Sequence, residues 1–192
     1  MSVGVGESKA NVSAARRAES VERSGVLFTV VRDVRVLLIA LWLGGAVFFS
    51  AAVAPAAFSV LRSRNVVYAN EAAGTIVTRV LSVINTGGLI IALLLLAGAL
   101  LFRKSVARRA FFVETVSLTL MAVMTAVGQW VIAARMLALR AAMVKPIDDV
   151  PVDDPLKISF NSLHGYSVAA LGVAIIAAAV ALLVIVRRGQ RL

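Results

Sequence analysis

The sequence predicts an all-α integral membrane protein, a bundle of four spanning helices with both termini in the cytoplasm. Of its 192 residues, 60% are hydrophobic, and the mean hydropathy of +0.94 is far above that of a soluble domain. The apolar residues are gathered into four runs that carry almost no charge. Each run is long enough to cross a hydrocarbon core of about 30 Å.

Charge and cysteine content narrow the classes of function. The formal net charge of +10 would suggest nucleic-acid binding in a soluble chain, but aromatic residues are only 6% of the sequence. They are also not interleaved with the basic residues, so we expect no base-stacking surface and no nucleic-acid partner. The lipid bilayer is the expected partner of the basic residues. Because cysteine is absent, disulfides, zinc-thiolate sites and thiol catalysis are excluded.

The chain opens with a polar segment. Residues 1–24 are rich in Ser, Ala, Arg and Glu, and such a segment buries too little apolar surface to offset the entropy of ordering. We expect a mobile cytoplasmic tail. Residues 25–35 place their apolar side chains on one side of a helix, which predicts an interfacial lead-in with Arg32 and Arg35 facing the head groups.

The first span is predicted over about residues 36–61, an uncharged run bounded by Arg35 and Arg62. Ala52-Val53-Ala54 resembles a signal-peptide cleavage site, but the run is too long for such a peptide and follows a long leader. We therefore expect a retained helix. Pro55 should kink this helix near its outer end, because proline removes one helical hydrogen bond.

Three further runs predict the remaining spans, at about residues 80–102, 111–134 and 165–186, and residues 189–192 form a short cytoplasmic end. The four spans and their connections make one transmembrane domain over residues 36–188. Asp154-Pro155 has the form of an N-cap followed by proline at the first helical position, so the last helix should begin there.

The distribution of basic residues predicts the orientation. Four spans place both termini on one side, and that side holds 13 of the 20 Lys and Arg residues. Basic loops stay in the cytoplasm, so both termini are predicted to be cytoplasmic. We expect the protein in the inner membrane of a bacterial cell.

Polar residues recur near the outer ends of the predicted spans. They suggest an outward-facing polar cavity lined by Asn85, Gln129, Asn161 and His164, because polar groups at membrane depth usually face the bundle interior. The alternative is interhelical hydrogen bonding that only fixes packing, worth about 0.6 kcal/mol per contact.

His164 is the only histidine, which excludes a bis-imidazole haem and any metal site that needs two histidines. No cofactor is expected. A mixed metal site remains an alternative, although the acids concerned could equally form a solvated turn. It would combine His164 with Asp148, Asp149, Asp153 and Asp154.

Glu114 is the one ionisable residue inside an otherwise uncharged span. A functional role is the default hypothesis for such a residue. It lies only about 5 Å from the cytoplasmic end of its helix, however, so an interfacial ion pair with a nearby arginine, such as Arg109, is the favoured interpretation over a proton relay.

Small residues should form seams where helices approach closely, at Gly44 and Gly45 in the first helix, at Gly87 or Gly88 in the second, and at Gly165 and Gly172 in the last. Neither these seams nor Pro55 implies catalysis. The spans contain no nucleotide loop, no Ser-His-Asp set and no paired carboxylates, so the sequence does not predict an enzyme.

Two stretches carry a family resemblance. Leu41-Trp42-Leu43-Gly44-Gly45, continuing to Ala54-Pro55, and Leu163-His164-Gly165, continuing to Ser167, together resemble a bacterial four-helix membrane family of unknown function, of the DUF4149 type and related to human transmembrane protein 205. The family often has an asparagine two turns after the histidine, where this chain has Leu171. The resemblance implies a fold and a location but no reaction.

The sequence leaves two functions open. The first is a carrier or sensor that handles a small solute or cation through the outward-facing cavity. The second is a non-catalytic packing or assembly partner, which could include a homo-oligomer. A water-accessible cavity favours the first, and an exposed small-residue seam favours the second.

Overall fold

The computed structural model describes residue 25, residues 28–101 and residues 108–188. Over these residues the chain is helical except for two connections, 64–68 and 143–154, and contains no strand. The all-α prediction is confirmed. The predicted tail 1–24, the end 189–192 and most of the second connection lie outside the described residues.

Four long helices form the fold: α1 (Phe28–Ser63), α2 (Ala69–Leu101), α3 (Arg108–Ala142) and α4 (Pro155–Arg188). All four are long and apolar enough to cross a membrane, so the chain is a multi-pass membrane protein. At 1.5 Å per residue each helix is about 50 Å long, about 20 Å more than the hydrocarbon core needs. The helices therefore continue beyond the predicted spans.

The ends of the helices follow local sequence. Residues 28–35, predicted as an interfacial lead-in, are the first turns of α1 itself. The predicted N-cap of α4 is confirmed, because Asp154 Oδ1 accepts a hydrogen bond of 2.8 Å from the backbone N–H of Leu156. The end of α3 is AARMLALRAA, a run of strong helix formers that carries the helix past its apolar part.

α3 lies between two neighbours, packing along α2 on one side and along α4 on the other, and the C-terminal part of α1 packs on α2. α4 presents a stripe of buried alanines to the core. The core includes Ile39, Trp42, Ala46, Phe49, Ala92, Leu95, Leu118, Met121, Ala174, Ala177, Ala178 and Ala181. Inside a bilayer, burial of apolar groups from water does not drive helices together, so helix association depends on close packing. Small side chains allow that packing because they let helix backbones approach closely.

Exposed aromatic residues lie towards the end of the bundle that carries connections 64–68 and 143–154, which we call the loop end. Trp130 on α3 and Tyr166 on α4 are 56% and 65% exposed. Such rings favour the interface between hydrocarbon and water. Each lies about 30 Å along its helix from an arginine at the opposite end, Arg109 or Arg187. We call that opposite end the basic end.

Two π-helical turns interrupt the α-helical ladder, at Phe49–Val53 in α1 and at Val127–Ile132 in α3. The first directly precedes Pro55, whose ring would collide with a carbonyl of the preceding turn. A widened turn removes that collision, and the kink predicted at Pro55 stays a prediction. Turns of this kind occur often at functional sites.

Candidate functional site: a buried amide pair between two helices

The inward face of α3 carries buried polar side chains. Glu114, Ser117 and Thr125 are all buried, and Gly128 and Gln129 continue the same face into the π turn. Their spacing is that of one side of a helix. The Thr125 hydroxyl donates a hydrogen bond of 2.9 Å to the carbonyl of Met121 in the same helix. Glu114 and Gln129, at the two ends of this stripe, instead bind side chains of other helices.

Asn85 on α2 lies opposite the loop-end part of the stripe. Asn85 is only 3% exposed, although neither atom of its amide is among the buried side-chain atoms that lack a hydrogen-bond partner. An ideal Cβ on Gly128 would lie 3.1 Å from Asn85 Nδ2, which is too close for comfortable packing. The glycine therefore makes the space in which the Asn85 amide fits against α3.

Gln129, the next residue of the π turn, bridges back to α2. Its Nε2 donates a hydrogen bond of 2.9 Å to Ser82 Oγ. Its Oε1 is buried and has no hydrogen-bond partner among the described residues. The side-chain amides of Asn85 and Gln129 thus lie close together between α2 and α3, and we call them the amide pair. An unpaired buried polar group costs about 1–3 kcal/mol.

Trp42 of α1 covers α2 beside the amide pair. Its Nε1 donates a hydrogen bond of 2.9 Å to the carbonyl of Ile84, the residue before Asn85. The ring lies against Gly88, where an ideal Cβ would fall 2.6 Å from Nε1. The glycine is therefore required for the ring to reach α2, and the ring closes the α1 side of this layer.

A buried ion pair lies near the basic end of the bundle. Arg35 Nη2 donates to Glu114 Oε1 and to the carbonyl of Leu95 at 3.1 Å. Glu114 is fully buried and the Arg35 side chain is 12% exposed. Gly98 leaves room for the guanidinium, since an ideal Cβ there would lie 3.3 Å from Arg35 Nε. One arginine thus joins α1, α2 and α3.

The comparison with protein families gives a match to the model described as a domain of unknown function, DUF4149, over residues 37–145. That is more than half of the chain. The chain belongs to the DUF4149 family. No curated protein and no solved structure matches it. The DUF4149 match contains Asn85 and Gln129, the amide pair, and also Trp42 and Glu114. It ends before α4.

The position of Arg35 corrects an expectation for this DUF4149 protein. The sequence placed Arg35 among the head groups and paired Glu114 with Arg109. In the structure Arg109 is exposed, and Arg35, 79 positions before Glu114, supplies the cation. The pair is buried rather than interfacial because α1 turns Arg35 inward, which hydropathy along the chain does not reveal.

Only two of the four residues predicted to line a polar cavity are brought together in the DUF4149 fold. Asn85 and the α3 turn that holds Gln129 are in contact, whereas Asn161 and His164 are exposed on the outer surface of α4. Ser82, Gly128 and Trp42 complete the site. Ser82 and Gly128 could have been predicted from their spacing to the two amides, but nothing in the sequence indicates the contact with Trp42.

Most of the glycines predicted as seams lie away from the helix contacts. Gly44, Gly45 and Gly165 are exposed, and an added Cβ at these positions or at Gly172 would meet nothing within 4 Å. Of the predicted alternatives in α2, Gly88 does lie in a close contact, against Trp42, whereas Gly87 does not. The alanine stripe of α4 also lies in the core. Pro55 is also exposed.

The acidic residues proposed as an alternative metal site have other partners or point outward. Over residues 28–101 and 108–188, no three His, Asp or Glu side chains are grouped so as to hold a metal ion. Asp154 caps α4, whereas Asp149, Asp153 and His164 are exposed. The structure therefore does not bring this set together.

Asp148 fastens the connection 143–154 to the start of α2. Its Oδ1 accepts hydrogen bonds from the Asn70 backbone N–H at 3.1 Å and from Asn70 Nδ2 at 2.7 Å, and its Oδ2 accepts one from the Glu71 N–H at 3.0 Å. Glu71 in turn binds Arg140 Nε, which lies 2.8 Å from both carboxylate oxygens. Asp148 thus acts as an N-cap supplied by a distant part of the chain.

The charge of Asp148 makes this contact sensitive to acid. Burial acts to raise its pKa, but the hydrogen bonds from Glu71 and Asn70 outweigh burial and hold the pKa below the ordinary 3.8. A carboxyl with a lowered pKa in the folded state stabilises the fold above its ordinary pKa. That contribution is lost as the pH falls through the lowered value.

Asp148→Asn is therefore expected to lower stability by about 1 kcal/mol at pH 7, the usual value of a helix cap, and by less near pH 3. Thermal unfolding in detergent between pH 3 and pH 7 measures the difference. Asp149→Asn removes a neighbouring exposed carboxylate and should change little. An equal loss at both ends of the pH range would contradict the role assigned to the charge.

Proposed function

We propose that this protein is a membrane carrier or sensor that binds a small uncharged polar solute at the amide pair. The proposal rests on one observation: Gln129 Oε1 is buried and has no hydrogen-bond partner among the described residues, beside the amide of Asn85. Buried polar groups in proteins are nearly always paired. A bound solute, or water that the solute displaces, supplies the missing partner.

The chemistry of the site favours a neutral ligand. The amides and the Ser82 hydroxyl offer both donors and acceptors. The nearest ionisable residues along the two helices, Arg79 and Arg135, are exposed. A bare cation would need several oxygen ligands turned inward, whereas a solute with both an N–H or O–H and a carbonyl complements what is present. We propose binding without catalysis.

The orientation also belongs to the proposal. From the basic-residue count we propose that both termini are cytoplasmic, so the loop end and the amide pair face outward. A bacterial inner-membrane location and a relation to transmembrane protein 205 are proposed from the sequence resemblance. Trp130 neighbours Gln129, which supports a site near the outer membrane boundary and within reach of solutes from the loop end.

Asn85→Leu, which keeps the side-chain shape, tests the proposal. With no solute present it should keep or raise the thermal stability of the purified protein, because it replaces a polar side chain that is 3% exposed with an apolar one. The parent should be stabilised by at least one of urea, acetamide and glycerol, and Asn85→Leu should not respond. Differential scanning fluorimetry measures both effects.

Asn161→Leu is the matched control, since it makes the same change at an exposed amide and should keep the response of the parent. If Asn85→Leu lowers stability, the amide only fixes packing. If none of the three solutes shifts the parent while sodium or potassium does, the site takes a cation and the neutral-ligand proposal is wrong.

A second function, as an assembly partner, is favoured by the outward-facing glycines of α1 and α4, which meet nothing within 4 Å. Single cysteines in this cysteine-free chain separate the two functions. Small thiol reagents should modify Asn85→Cys and Gln129→Cys if a solute path exists. Protection at these positions, together with disulfide crosslinking between chains at Gly45→Cys or Gly172→Cys, supports assembly instead.

A further inference from the structure

At the basic end, the arginines divide into two groups. Arg32 and Arg35 each bind a carboxylate, of Asp33 at 2.8 Å and of Glu114 respectively. Asp33 and Glu114 are the only acidic residues that the described part of the chain places at this end. Both acids are therefore already engaged by arginines of α1.

The described residues provide no counter-ion for the second group. Arg108 and Arg109 at the start of α3 and Arg187 near the end of α4 are exposed, and no carboxylate of the described residues lies within ion-pair distance of them. The connection 143–154 returns the chain so that α4 runs back along α3. The three guanidinium groups consequently lie at the same end of two helices in contact.

Exposed apolar side chains border this group on its membrane side. Phe112 on α3 is 66% exposed, and Leu183 and Val186 on α4 are 56% and 41% exposed. A ligand at this surface thus meets unpaired guanidinium groups directly beside a hydrocarbon-facing strip. A guanidinium presents paired donors that match the oxygens of a phosphate.

We propose that Arg108, Arg109 and Arg187 form a binding surface for the head group of an anionic glycerophospholipid, with the acyl chains lying against Phe112 and Leu183. The phosphate supplies the negative charge that the described residues do not place beside these arginines. The apolar strip favours a lipid over free phosphate. The surface is separate from the amide pair, so it does not depend on the solute proposal.

Competition between phosphatidylglycerol and phosphatidylcholine of identical acyl chains tests the proposal. The purified parent is equilibrated with an equimolar mixture in detergent, and native mass spectrometry measures the lipid that remains bound. Each basic residue near an anionic surface contributes about a five-fold preference. We expect the parent to retain phosphatidylglycerol preferentially and Arg108→Gln/Arg109→Gln/Arg187→Gln to lose at least about ten-fold of that preference.

The control variant is Arg64→Gln/Arg79→Gln/Arg135→Gln, which removes the same charge from exposed arginines at the loop end and should keep the preference. Equal retention of the two lipids by the parent overturns the proposal and requires no variant to fold. Equal losses in both triple variants also overturn it, because they indicate net charge rather than a site. So does stabilisation by inorganic phosphate equal to that by phosphatidylglycerol.

Discussion

Glu114→Leu is expected to lower the free energy of unfolding by about 3–5 kcal/mol, because it leaves a buried charge without its partner. That charge is the Arg35 guanidinium, which is 12% exposed and loses its carboxylate inside the bundle. A buried charge in this state keeps the full cost of its desolvation. Equilibrium unfolding in mixed micelles, followed by circular dichroism, measures the loss.

The double variant Arg35→Met/Glu114→Leu should recover most of that stability, because a buried ion pair replaced by apolar groups of similar size is often close to neutral. Glu71→Leu breaks the ion pair with Arg140 at the loop end, where both side chains are about a quarter to a third exposed. It should cost only about 1 kcal/mol. A double variant as unstable as Glu114→Leu would show that Arg35 is not the group left uncompensated.

Gly88→Ala is expected to have the next largest effect, a loss of about 2–4 kcal/mol from overpacking and from a broken hydrogen bond. The added Cβ would lie 2.6 Å from Trp42 Nε1 and 2.8 Å from Cε2. The indole must move, and its hydrogen bond to the carbonyl of Ile84 must lengthen or break. Thermal unfolding measures the stability, and tryptophan emission in a Trp130→Phe background reports on the Trp42 ring alone.

Gly87→Ala provides the matched control at the adjacent position of α2, where an added Cβ meets nothing within 4 Å. It should be neutral or slightly stabilising, because alanine favours a helix over glycine by about 1 kcal/mol. Trp42→Phe should cost less in the Gly88→Ala background than in the parent. Similar losses of stability for Gly87→Ala and Gly88→Ala would mean that the effect at Gly88 does not come from its contact with the Trp42 indole.

The four helices were predictable because nearly uncharged runs of about twenty apolar residues have few alternatives. The N-cap at Asp154 was predictable from local chemistry. Asn85 and Gln129 were found because amides stand out within apolar runs. The helices continue beyond the predicted spans; the start of the last helix before its span was predicted from Asp154-Pro155, whereas the extension of α3 through residues 135–142 was assigned to a connection.

The rotation of each helix about its axis could not be predicted. Asn161 and His164 lie on the outer surface of α4, whereas Arg35, assigned to the head groups, is turned inward to Glu114. Polar residues within a turn or two of a helix end can reach either water or the bundle interior, so depth alone does not orient them. The alanine stripe that orients α4 is only one of several small-residue faces in its sequence.

The loop end and the basic end of the bundle differ in the side chains that would limit the hydrocarbon core. At the basic end, the arginines of α3 and α4 fix the hydrocarbon limit sharply. At the other end, exposed apolar side chains continue about 10 Å past the level of Trp130 and Tyr166, at Ile76, Leu137 and Ile158. The hydrocarbon of a thicker bilayer can therefore cover these extra turns at little cost, whereas the hydrocarbon of a thinner bilayer can end at the level of Trp130 and Tyr166. We therefore expect variation in membrane thickness to be accommodated at the loop end, while the basic end keeps its depth.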